Sequence, residues 1–178
     1  MRIQCTQNLL KLMKKEPADL PPATPEEELY TWNATMFRRG RNRMMVLQNS
    51  LTRCVVVLYR PMAKDFADLE EKLKEGMRLL FEKIGMSEHQ IETYLEKAGH
   101  CVVTKSGSKK EIGRLVQVCR ELEFSYILDT ALDPDSLQQP EVSYASTDLV
   151  LWMIEGGKVM AAVDCMLENA ERLQMSTT

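Results

Sequence analysis

The chain has 178 residues, 44% of them apolar and 28% charged, with a formal net charge of −3. Its length suits one domain around one core, and its composition excludes a wholly disordered chain. The slight acidity argues against a protein that coats nucleic acid over its whole surface, since binding of that kind comes from neutralising phosphates.

The longest apolar runs, Cys54 to Tyr59 and Leu149 to Ile154, fall far short of the roughly 20 residues that cross a bilayer, so no membrane span is expected. The amino terminus passes from Met1 and Arg2 into Gln4, Thr6, Gln7 and Asn8 without an apolar signal core. Cys5, Cys54, Cys101, Cys119 and Cys165 are widely spaced and form no Cys-x-x-Cys pair. That usage predicts reduced thiols in a cytoplasmic protein and no zinc site.

In chain order, Arg2 to Cys5 predicts a short strand. Thr6 reads as a helix cap, and Leu9, Leu10 and Met13 as one face of a helix that Pro17 stops. Residues 16–28 carry Pro17, Pro21, Pro22 and Pro25 among acidic residues, which predicts an extended connector over the surface. From Leu29 to Tyr59 three strands follow one another. Tyr30, Trp32, Ala34 and Met36 alternate with Thr31, Asn33 and Thr35, the period of a half-buried strand. Arg38, Arg39, Gly40, Arg41, Asn42 and Arg43 break that pattern as a turn. Two more strands, Met44 to Gln48 and Cys54 to Tyr59, are separated by Asn49, Ser50, Leu51, Thr52 and Arg53.

Phe66, Leu69, Leu73, Met77, Leu80 and Ile84 recur at helical spacing, which predicts one helix of about five turns. Glu70, Glu71 and Glu75 alternate with lysines on it and read as a solvated face. Ser87 and Gln90 form a capping-box pattern opening a second helix that Gly99 ends. Cys101, Val102 and Val103 predict a strand, and Ser108 with Glu111 a third helix start, with Ile112, Leu115, Val116, Cys119 and Leu122 on its apolar face. Residues 129–146 turn to Asp, Pro, Ser and Gln and read as an irregular loop with turns near Pro134 and Pro140. Leu149 to Ile154 is a strand or part of a buried helix, its flanks favouring a strand. Gly156 and Gly157 separate it from a last helix carrying Val159, Met160, Val163, Met166, Leu167 and Ala170. With strands early and helices late, the pattern predicts a single α+β domain over residues 1–178. Its sheet is expected to be largely antiparallel, built around the three-stranded meander, with amphipathic helices on one face.

Arg38, Arg39, Arg41 and Arg43 place four guanidinium groups within six residues, each a fork of donors matched to phosphate or carboxylate oxygens. They are either an anion-binding turn or a solvated hairpin tip whose charge deters edge-to-edge aggregation. Trp32, Asn33, Asn49, Thr52 and Arg53 would make a polar rim around an aromatic platform, unless Trp32 fills the core, as its shared parity with Tyr30 and Met36 implies. Lys105, Ser106, Gly107, Ser108, Lys109 and Lys110 lie between a predicted strand and a helix start, a weaker anion site. Their spacing is not that of a phosphate-binding P-loop. His89 and His100 sit in no metal-ligand spacing, and no Ser, His and Asp set can be picked out, so neither a catalytic residue nor a cofactor is expected. The twelve methionines read as core filler.

The opening Met-Arg-Ile-Gln-Cys-Thr-Gln-Asn-Leu-Leu resembles, together with three later features, a bacterial family of short single-domain proteins known as a domain of unknown function. Those features are the tryptophan strand ending in Arg38 and Arg39, the segment from Asn49 to Arg53 and Lys64-Asp65-Phe66. The likeness is best from Met1 to about Ile84. It implies a prokaryotic cytosolic protein with no established activity, cofactor or partner. Taken with the residues, the expected function is a non-catalytic binding domain that presents the arginine turn to an anionic ligand or a protein. Nucleic-acid binding through the same turn is the second reading. The third is an enzyme with the turn and the Lys105 to Lys110 loop around one anionic substrate.

Overall fold

The computed structural model of the protein describes residues 1–106, 108–153 and 159–175. Strands Arg2–Cys5 (β1), Thr31–Arg39 (β2), Asn42–Asn49 (β3), Val55–Tyr59 (β4) and Val102–Lys105 (β5) form one sheet in the order β4-β3-β2-β1-β5. The meander of β2, β3 and β4 is antiparallel, as its alternation predicts. β1, however, runs parallel to both β2 and β5, so the sheet is mixed rather than largely antiparallel. Connectivity is the cause: helix Gln7–Met13 (α1) and the proline-rich connector carry the chain back to the end where β1 began, the crossover a parallel pair requires.

The remaining elements are helices Ala63–Ala67 (α2), Leu69–Lys83 (α3), Glu88–Ala98 (α4), Lys109–Phe124 (α5), Ile127–Thr130 (α6) and Pro140–Asp148 (α7), then strands Leu151–Met153 (β6) and Val159–Ala161 (β7) and helix Ala162–Met175 (α8). Successive strand residues point to opposite faces. Met45, Leu47, Val56 and Leu58 join a core with Ile3, Trp32, Leu73, Met77, Tyr94 and Met166. Met44, Val46, Val55 and Val57 join another with Val118, Leu122 and Val142. Helices therefore cover both faces, which corrects the one-face expectation. Doubly buried strands read as unbroken apolar runs, and Cys54 to Tyr59 is such a run.

Several elements differ from their sequence pattern for local reasons. The expected five-turn helix is broken into α2 and α3 at Asp68, whose φ of −98° and ψ of 32° leave the helical region. α1 ends before Pro17, at a left-handed Lys14 whose N–H bonds the Leu10 carbonyl. Thr6 precedes α1 without capping it, because its hydroxyl bonds that of Thr35 at 3.1 Å. Residues 129–146 are not an irregular loop throughout: Pro140 occupies the first turn of α7, where a missing N–H costs nothing. Leu151–Met153 is a strand, as its flanks favour, and pairs with Val159–Ala161. Val159 and Met160 accordingly belong to β7 and not to the last helix. Ile154, Gly156 and Gly157 lie outside the described residues.

The sheet edges are covered by the chain itself. On β4, the Val55 and Val57 N–H groups donate to the hydroxyls of Thr147 and Ser143 on α7, both at 2.9 Å. Tyr59 N–H continues to the Leu137 carbonyl at 2.7 Å. On β5, the connector contributes Ala18, whose N–H reaches the Val103 carbonyl at 2.9 Å.

Candidate functional site

The arginine turn is a two-residue hairpin joining β2 to β3, with Arg39 opposite Asn42 and Arg38 opposite Arg43. Gly40 sits at φ +61°, in the first central position, where a turn matching the strand twist requires glycine. Arg38, Arg41 and Arg43 are exposed. Arg39 pairs with Asp129 of α6 at 2.7 Å, while the other three have no ion-pair partner among the described residues. Arg38 and Arg43 are directly opposed on one face, an arrangement of like charges that destabilises a strand pair.

Beside this hairpin lies a groove of about 620 Å³. β1 stops at Cys5, the Thr6 N–H makes a last bond to the Ala34 carbonyl at 3.0 Å, and the chain turns away into α1. β2 continues to Arg39 with β3 on one side only. Met36 and Arg38 aim their backbone groups at the side β1 has left, because Thr31 and Ser50 form a hydrogen-bonded pair and that parity alternates along the strand. None of these backbone groups has a hydrogen-bond partner among the described residues. α1 supplies Lys11 and Leu12 to one wall, and α5 supplies Val116, Arg120 and Glu123 to the other. Leu12 and Val116 are 38% and 45% exposed. Lys11 and Arg120 have no visible sequence signal; only the end of β1 brings them to one place.

The remaining sequence candidates take structural positions. Trp32 is fully buried and donates from Nε1 to the Tyr94 hydroxyl at 3.1 Å, which itself donates to the Leu29 carbonyl at 2.8 Å. Asn49 is likewise buried; its Oδ1 accepts from the N–H groups of Leu51 and Thr52 and from the Thr52 hydroxyl, and its Nδ2 donates to Leu29. The pair therefore builds the β3–β4 turn from within. Arg53 closes that turn at φ +67°.

Beneath the start of α5 a second polar cluster forms. Ser108 caps the helix by accepting from the Glu111 N–H at 3.3 Å, but the Glu111 carboxylate does not complete the capping box. It accepts instead from Arg53 at 3.0 Å and Asn33 at 3.2 Å, and pairs with Arg114. Burial, the largest influence on Arg53, pulls its pKa below the ordinary arginine value, and the Glu111 charge opposes that shift. Lys105, Lys109 and Lys110 are exposed near the same end of α5. Gly107 lies outside the described residues. The groove is lined by Arg38 and by none of these lysines.

Burial pushes the Cys5, Cys54 and Cys119 thiols up to about 12, so all three stay protonated and are poor nucleophiles. Among the described residues, no group of three or more His, Cys, Asp or Glu is placed to hold a metal ion. No helix among them is long and apolar enough to cross a membrane.

A family model described as a domain of unknown function (DUF6933) matches residues 2–158, well past Ile84. No curated protein and no solved structure matches the chain.

Proposed function

We propose, for a chain that belongs to the DUF6933 family and inherits no activity from it, that the protein is a non-catalytic binding domain whose arginine hairpin and adjoining groove receive an anionic partner. One observation carries the reading: three hairpin guanidinium groups have no carboxylate partner among the described residues, and that of Arg38 lines a groove of about 620 Å³. Had the chain neutralised them internally, as it does Arg39, nothing would be left to attract an anion. Arg38 and Arg43 also repel each other across the ladder, and a bound carboxylate would relieve that repulsion. The groove has the volume of a ligand site, within the roughly 300–1,000 Å³ typical of such pockets.

The test is a titration with polyglutamate followed by backbone and guanidinium NMR. Shifts are expected at Arg38, Arg41, Arg43 and Arg120. The combined variant Arg38→Ala, Arg41→Ala and Arg43→Ala should lose them while its thermal midpoint stays nearly unchanged, since surface substitutions stay within about 0.5 kcal/mol. Arg39 is kept because its pair with Asp129 ties the hairpin to α6. Equal shifts in the variant and the parent would remove this reading. A preference for a single-stranded oligonucleotide, with a steep loss of affinity as salt rises, would assign the same turn to nucleic acid instead.

A further inference from the structure

We infer that the partner is an acidic peptide in extended form, which adds to the sheet as a strand alongside Met36 to Arg38; this rests on the anion-binding reading above and names what binds there. The argument starts from how the protein treats its other edges. A free strand edge is a row of unpaired donors and acceptors that recruits another chain, and folded proteins cover it. Here β4 is closed by two hydroxyls of α7 and by Leu137, and β5 by Ala18. The end of β2 has no such cover among the described residues. The N–H and C=O of Met36 and Arg38 lie on the floor of the groove, and no proline or bulge guards them.

The walls fit an added strand on both of its faces. α1 and α5 stand on opposite sides of the sheet, since Leu9 and Leu10 join one core and Val118 and Leu122 the other. A strand laid between them has alternate side chains pointing to each wall. Each wall offers one apolar contact and one cation: Leu12 with Lys11 on α1, Val116 with Arg120 on α5. Arg38 adds a third cation, against the single carboxylate of Glu123. Mixed apolar and acidic side chains are the complement.

Two other occupants are disfavoured. A second copy pairing antiparallel through the same Met36 and Arg38 groups sets Arg38 opposite Met36 and leaves the two Arg38 side chains diagonal neighbours on one face, like charges within reach of each other. The chain's own acidic connector is engaged elsewhere, on the outer edge of β5 through Ala18.

The experiment uses the full chain and a capped, fluorescent hexapeptide Glu-Glu-Val-Val-Glu-Glu, which offers both residue types to both walls, with a Gln-for-Glu version and two versions N-methylated at alternate residues in the two phases. Strand addition uses the peptide's backbone groups in one phase only. The acidic peptide is expected to bind, and the Gln version to bind about tenfold more weakly, as three cations lose their partners. Methylation in one phase should cost tenfold or more and in the other phase little, with slowed exchange of the Met36 and Arg38 amides in the complex. Equal binding of both methylated peptides would overturn strand addition while leaving the anion site standing. A peptide that leaves every hairpin arginine resonance unmoved would take both readings down together. A concentration-dependent dimer that excludes the peptide would assign the edge to a second copy instead.

Discussion

Arg43 and Glu111 show how differently a charge behaves at the hairpin tip and beneath α5. Arg43 is exposed and faces a like charge, so Arg43→Glu exchanges a repulsive cross-strand pair for an attractive one. Urea denaturation should show the variant unchanged or more stable by up to about 1 kcal/mol, and the Glu and Val hexapeptide should bind several-fold more weakly, because the new carboxylate takes up the Arg38 guanidinium that lines the groove. An arginine whose replacement leaves the fold unharmed contributes nothing to stability where it stands. Glu111 is the opposite case: its side chain is 16% exposed and that of Arg53 12%. Glu111→Gln leaves the Arg53 guanidinium half-compensated, and unfolding should become easier by about 2 kcal/mol, between the cost of breaking an exposed and a buried ion pair. Little of this distinction was legible in the chain. Trp32 reads as core from its parity with Tyr30 and Met36, and is core. Asn49 and Thr52 carry turn chemistry that marks the loop, yet nothing local tells a turn built around an inward asparagine from one that offers its polar groups to a ligand. Glu111 fits a capping box perfectly well by spacing; its diversion to Arg53 depends on a contact between residues 58 positions apart.

At the scale of elements, α7 explains why part of the pattern misleads. Ser143 and Ser146 give residues 129–146 the polarity of a loop, but both are buried, as is the adjoining Thr147. Ser143 and Thr147 spend that polarity on the β4 edge. Replacing them as Ser143→Ala with Thr147→Val leaves two buried N–H groups unpaired, at about 1–3 kcal/mol each. Hydrogen exchange should quicken at Val55 and Val57 well before it does at the β2–β3 ladder; unchanged protection there would mean that water or a shifted helix satisfies the edge. α3 meets the same strand through Gly76, where an added Cβ would lie 2.8 Å from the Gln138 side-chain oxygen and 3.0 Å from Val56 Cγ1. Gly76→Ala gains about 1 kcal/mol of helix propensity, and thermal melting should nonetheless show a less stable protein, because α3 must move off the sheet. The α3 stripe, the Ser87 cap with Gln90 and the meander were all legible, since each rests on short-range periodicity or fixed spacing. Partners supplied by distant elements, such as the Gln138 contact at Gly76, leave no such trace.

For the molecule as a whole, the mixed sheet was the largest departure from expectation, and it follows from one strand. β1 could have joined the meander antiparallel at its edge; it lies parallel between β2 and β5, and no local pattern encodes that choice. The same placement ends β1 early beside β2 and so creates the groove. It also makes the start of β5 a joint between layers, where Glu70 of α3 accepts the Cys101 N–H at 2.9 Å and pairs with Lys74 at 2.8 Å. Read among its lysine neighbours, Glu70 belongs to a solvated face; in the fold, it ties that helix to the central sheet. The Cys101 N–H, followed by Lys74, holds its carboxyl down at about 2 from the usual 4.5. A depressed carboxyl stabilises the fold above its unfolded value and loses that contribution as pH falls through the folded one. Stability set by Glu70 should therefore be complete above pH 4.5 and fade on the way down to about 2. In urea titrations across that window, Glu70→Gln should start less stable at neutral pH and fall less steeply than the parent, the two curves converging in acid. Parallel curves would show that Glu70 is as solvated as its neighbours and that the sheet and α3 are joined by apolar packing alone.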